Sequence, residues 1–141
     1  MIESKNKIKY EEANIIDINN FTEADKQVLI NRFEDVTVNG YHLLIFIYKP
    51  PIIRKNLAGI ILPESTVEID YEYRYCVGLV VKVGNEAYPE DKFTTPWCKV
   101  GDWVTFPRAN GVQFRFDYAL VINVPDDKIL NVINDPSKIA R

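Results

Sequence analysis

The sequence is short of the residues that most often carry chemistry. It has one histidine, His42, and two cysteines, Cys76 and Cys98, in 141 residues. A lone histidine excludes any two-histidine metal site. The cysteines lack the C-x-x-C spacing of a zinc or redox motif, and two are too few for a disulfide scaffold. Buried, reduced thiols are expected, because nothing beside either cysteine would activate a thiolate. His42, at the start of a strand, reads as structural or solvated.

Positive charge is not in excess either. The net charge is −3, whereas nucleic-acid binders usually present a basic face. Arg108 and Arg115 are the only basic residues near the aromatics of 103–116, so barrel core is the better reading of those rings than a stacking platform. No apolar run approaches the ~20 residues of a membrane span. The N-terminal stretch "MIESKNKIKYEE" has no signal-peptide core. Neither G-x-x-x-x-G-K-S/T nor G-x-G-x-x-G occurs, so no phosphate cradle is signalled. Glu64, Glu68, Asp70 and Glu72 read as a solvated loop rather than a calcium site. The expectation is a cytoplasmic, non-enzymatic protein with no cofactor, no metal, and no nucleic-acid or membrane partner.

What is present is a globular composition, 47% hydrophobic and 26% charged, at the size of one domain. Thr22 with Asp25 forms a capping-box pattern opening a helix to about Glu34, with Val28, Leu29 and Phe33 as its apolar face. From Val36 the period turns to two. Leu43 to Tyr48 is apolar at every position, as in a strand buried on both faces. A second strand runs from about Tyr75 to Val83, with Val77, Leu79, Val81 and Val83 expected on one face. Lys99–Asp102 is a tight turn into the strand Trp103–Phe106. Asn110-Gly111 is a hairpin signal, and Phe114 and Phe116 alternate after it. Ala119–Val124 is a buried run, whereas Ile129–Ile133 is too short for periodicity to separate strand from helix. Short strands with turn residues and no βαβ pattern predict an all-β fold, a small, partly closed barrel. Residues 1–35 form an N-terminal, partly helical extension, and 36–141 form the barrel domain.

One segment does not fit a compact barrel. Residues 50–74 carry no period over about two dozen positions, too long for an ordinary connection. The flanks are polar, yet the centre is "GIILP", and three large aliphatics in a surface loop are costly to leave in water.

The barrel, this loop and the turn-rich stretch 85–98 together resemble the GroES-type co-chaperonins. The similar stretches follow the family's order: a strand opening at His42, "AGIIL" at 58–62, "VKVGNE" at 81–86, "KVGDWVTF" at 99–106 and "VPDDKILNVI" at 124–133. "PWCKVGDWVTF" and "GIILPE" look closest to virus-encoded members, as does the extra N-terminal segment. The resemblance implies a homo-oligomeric ring, a heptamer, that caps a group I (GroEL-type) chaperonin over a client polypeptide. It implies that 50–74 is a mobile loop whose Gly59, Ile60, Ile61 and Leu62 bind the chaperonin. It further implies that 85–98 is a roof hairpin, here bearing Tyr88, Phe93 and Trp97. Val36, Val38, Ile129, Leu130, Val132 and Ile133 would lie in terminal strands at the subunit interface. Ala58, where many members have glycine, departs from the pattern. So does "RANGV" at 108–112, which lacks the family's frequent tyrosine.

The energetics agree with such a loop. Burying three aliphatic side chains yields roughly 5–8 kcal/mol gross, and ordering a flexible segment costs roughly 2–5 kcal/mol. A single loop would therefore bind near millimolar affinity, and only several on one ring would hold. Two other classes fit the residues: a monomeric small-barrel module binding single-stranded nucleic acid or a peptide, and a structural virion protein with no chaperonin contact.

Overall fold

The six residues HLLIFI form β1, His42–Ile47, and everything in it from Leu43 onward is buried. β1 is central because both of its faces are apolar, so it must be covered from two sides. The structure, a computed structural model, describes residues 13–49 and 76–138. Around β1 are placed β2 (Val77–Val83), β3 (Trp103–Thr105), β4 (Val112–Phe116), β5 (Ala119–Pro125) and β6 (Asn131–Ile133). The spatial order is β4-β5-β1-β2-β3-β6, and every pairing is antiparallel. The fold is therefore mostly β, as expected, and of the small barrel-like kind.

Two cores lie against the sheet. Leu43, Ile45 and Ile47 pack with Val80, Val104, Phe106, Ile122, Val124 and Ile129. The alternate residues Leu44, Phe46 and Tyr48 pack with Leu79, Val81, Trp103 and Val121, and this second core is covered by Leu29, Phe33 and Val38. The chain ahead of β1 is thus part of the core. Its helix, α1 (Glu23–Asn31), starts at the expected capping box: Thr22 Oγ1 accepts from Asp25 N at 3.1 Å, and Asp25 Oδ2 accepts from Thr22 N at 3.0 Å. The helix ends at Asn31 rather than Glu34, and its apolar face is narrower than expected. Leu29 is buried, whereas Val28 is 65% exposed.

Three further expectations change. First, Val83 leaves the face shared by Val77, Leu79 and Val81 and joins the Leu43 core. The cause is a bulge: Leu44 pairs with Lys82 but Ile45 with Val80, leaving Val81 as the extra residue. Second, Asn110-Gly111 makes no hairpin. Arg108–Asn110 is a single helical turn, and the hairpin lies at Asp117-Tyr118, joining β4 to β5. Both turn residues have positive φ, 49° and 71°, as a two-residue primed turn requires. Gly111 is instead needed for space, since a Cβ there would collide with the Ile122 side chain. Third, Val36–Val38 forms no strand within the single chain. It runs without a ladder partner among the described residues, and the period-two pattern begins at His42.

Candidate functional site

The residues singled out in the sequence fall into three places. Gly59, Ile60, Ile61 and Leu62, with the rest of 50–74, lie outside the described residues. The chain's positions on either side of that stretch are well anchored, however. Tyr48 N donates to Val77 O at 2.9 Å, and Phe106 N donates to Cys76 O at 2.9 Å. Residues 49 and 76 therefore leave and rejoin the sheet at the same end of β1 and β2.

The second place is the pair of sheet edges. β6 pairs with β3 through Trp103↔Ile133, Val104↔Val132 and Thr105↔Asn131, and no described strand lies on its other side. The side chains of 129–133, the first two of them ahead of the strand, divide into buried and exposed ones. Ile129 is buried in the Leu43 core and Ile133 packs on the Trp103 side. Leu130 is 64% and Val132 41% exposed. Thr95, Pro96 and Trp97 form a shallow groove with Ile129–Val132. At the opposite edge, β4 exposes 70% of Val112 and 36% of Phe114. Both line a second groove with Val36–Asn39, His42, Asn110 and Asn123. Val36 and Val38 thus flank this groove while also packing against their own core. Among the described residues the sheet thus presents two open, apolar edges, a hazard that natural proteins normally cover.

The third place is 85–98. The expected hairpin is absent, since no strand pairing occurs within it. The segment is held by tight turns, with Lys92 N and Phe93 N both donating to Pro89 O at 3.0 Å. Its aromatics form an edge-to-face cluster: Tyr88–Phe93 at 5.0 Å, Phe93–Trp97 at 4.9 Å and Tyr88–Trp97 at 6.1 Å between ring centroids. Tyr88 anchors it from the core, donating its hydroxyl proton to Asp126 O at 2.9 Å and lying 3.4 Å from Cys98 Sγ. Burial pushes the Tyr88 phenol well above its ordinary value, and the Cys98 contact adds to this. Burial likewise pushes the Cys98 thiol up, against the opposing effect of Tyr88. Such a thiol stays protonated and is a poor nucleophile.

Sequence reading missed Asn14, Arg32 and Asp126. Only Asn14, a polar residue inside the apolar run "ANIIDI", carried a local signal. Among the described residues no group of three or more His, Cys, Asp and Glu is placed to hold a metal, and none of their helices is long and apolar enough to cross a membrane.

The arrangement is that of a partner-binding protein: a small barrel-like sheet with two apolar edges and a long insertion rooted between β1 and β2. The model of the chaperonin 10 kDa subunit family matches residues 49–133, and the chain belongs to that family. The match spans the 50–74 segment, the 85–98 stretch and β6, while β1 and the extension precede it. No curated protein matches the chain significantly. Membership of this family supports a co-chaperonin role in general and implies partnership with a GroEL-type chaperonin and oligomerisation.

Proposed function

We propose that this chain assembles into a seven-membered ring that caps a GroEL-type chaperonin through residues 50–74, in the cytoplasm. The supporting observation is the family match over 49–133, which encloses "AGIIL" in the stretch whose two ends sit side by side on the sheet. Gly59, Ile60, Ile61 and Leu62 are the chaperonin-binding residues, the three aliphatics filling the partner's groove. The edge residues Leu130 and Val132 of one subunit meet the groove beside Val36, Val38 and β4 of the next, a head-to-tail contact that closes a ring and removes both open edges. Residues 85–98, with Phe93 and Trp97, form the roof around the central opening. The client is a polypeptide enclosed beneath the cap, and for a virus-encoded member a capsid protein is the natural candidate.

The deciding experiment is Ile61→Asp. A carboxylate forced into an apolar groove costs several kcal/mol, more than one loop supplies, and multivalency does not rescue contacts that are individually unfavourable. Native mass should stay that of the ring while co-elution with a GroEL-type chaperonin and nucleotide is lost. A variant that unfolds would place Ile61 in the barrel core and defeat the reading. A wild-type chain that is monomeric and ignores the chaperonin would favour a small binding module or a virion component.

A further inference from the structure

The N-terminal extension is attached to the sheet at one buried polar residue. Asn14 is fully buried, in a position where an unpaired amide would be costly. Every polar atom of its side chain is used. Nδ2 donates to Ile47 O at 2.7 Å and to Leu120 O at 2.8 Å, and Oδ1 accepts from Leu120 N at 2.7 Å. The β1–β5 ladder runs only from His42↔Pro125 to Phe46↔Val121. Beyond it, Ile47 and Leu120 part, and the Asn14 amide stands between them as a substitute peptide group.

The main chain continues the same seam. Lys49 N donates to Asn14 O at 3.0 Å and Ile16 N donates to Lys49 O at 3.2 Å, a parallel bridge between Ile15 and Lys49. On the following turn Phe21 meets Trp103 edge-on at 6.0 Å, and Trp103 meets Tyr48 at 5.7 Å. Tyr48 and Lys49 are therefore gripped from both sides, by Val77 through Tyr48 N and by Asn14 and Ile16 through Lys49. Residue 50 follows directly.

We infer that Asn14 is a positioning residue for chaperonin binding: its side chain fastens the extension to Ile47 and Leu120, its carbonyl holds Lys49, and together they fix the root from which the 50–74 segment continues. The inference rests on the capping function proposed above. A binding segment that departs from a fixed root has fewer orientations to lose, and pre-organisation of this kind strengthens binding without adding a contact to the partner. Over several subunits, a small loss per segment multiplies into a large loss of avidity.

The test uses the full chain with Asn14→Ala and the milder Asn14→Ser, which keeps one hydroxyl for Leu120. Native mass, amide hydrogen exchange, and affinity for a purified bacterial GroEL-type chaperonin with ADP are read together. In the wild type, the amides of Ile16, Lys49 and Leu120 should exchange as slowly as those of β1. In Asn14→Ala their protection should fall with the ring mass unchanged, and chaperonin affinity should weaken about tenfold or more. Equal affinity in wild type and variant, or fast exchange at these amides in the wild type, overturns the inference. If even Asn14→Ser dissociates or unfolds, Asn14 is a folding residue and the positioning role is likewise overturned. A wild-type ring that binds no chaperonin defeats the capping function itself, a result separable because it precedes any variant.

Discussion

Tyr88 and Asp126 hold each other by two hydrogen bonds of opposite kind. The Tyr88 backbone N–H donates to the Asp126 carboxylate at 2.8 Å, and the Tyr88 hydroxyl donates to the Asp126 carbonyl at 2.9 Å. The pair ties 85–98 to the turn that follows β5. It also accounts for a tyrosine at φ 54°, a conformation that a bulky residue keeps only when its surroundings impose it.

The first prediction follows from that pair. Tyr88→Phe keeps the ring but strands the Asp126 carbonyl, and should destabilise by about 1–3 kcal/mol. Tyr88→Ala also opens a cavity and should cost about 3–5 kcal/mol. Urea unfolding midpoints measure both. A residue merely presented on a roof would show neither loss, so unchanged midpoints would return Tyr88 to the surface role that its neighbours Phe93 and Trp97 suggested.

The second prediction concerns pH. Burial raises the Cys98 thiol above its ordinary 9.0 and the Tyr88 phenol above its ordinary 10.0. Both groups are neutral when protonated, and the folded state holds those protons more tightly than the unfolded chain does. Stability is therefore fully present below about pH 9 and falls as pH rises, first as the unfolded thiol ionises and then as the unfolded phenol does. Melting temperature measured across this range should decline, and Cys98→Ala should shallow the early part of the decline. In the same folded protein a thiol reagent should spare Cys98, which is buried, while Cys76 is partly exposed.

How much of this was legible beforehand depended on the range of the interaction. The capping box at Thr22 and Asp25 is a local pattern and reads directly. So does β1, where the lack of any polar alternation from Leu43 to Tyr48 announces two covered faces. The bulge at Val81 is not local, because it is defined by register against Leu44 and Ile45. Asn110-Gly111 misled because its glycine answers to the closeness of Ile122 rather than to a turn. The real turn uses Asp117, which tolerates positive φ, and Tyr118, which seldom adopts it, with Arg32 donating to Asp117 O at 2.9 Å and Arg115 to Tyr118 O at 2.8 Å. Asn14 reaches Leu120 across a separation of 106 residues; the local run marks a polar residue among aliphatics but does not name that partner. For the edges, the sequence pointed to Ile129–Ile133 as a block. The structure divides it: Ile129, ahead of β6, is buried in the Leu43 core, Ile133 is half-buried on the Trp103 side, and Leu130 and Val132 are exposed.

The last prediction uses that division to separate assembly from folding. Leu130 and Val132 are well exposed in the single chain, so replacing either with a charged residue removes little from the subunit's own core. In a closed ring the same side chains would face the neighbour's Val112 and Phe114 groove, where an unpaired charge is costly. Leu130→Glu combined with Val132→Lys should therefore yield folded monomers, with a melting temperature set by the subunit alone and a native mass of one chain. The inward residues give the converse. Ile129→Glu would bury a carboxylate in the Leu43 core and should unfold the subunit, not merely release it. Native mass spectrometry and circular dichroism on the two variants decide the matter. A double variant that keeps its ring would show that β6 is not a subunit contact. One that loses its fold would show that the exposed side chains of β6 support the sheet itself.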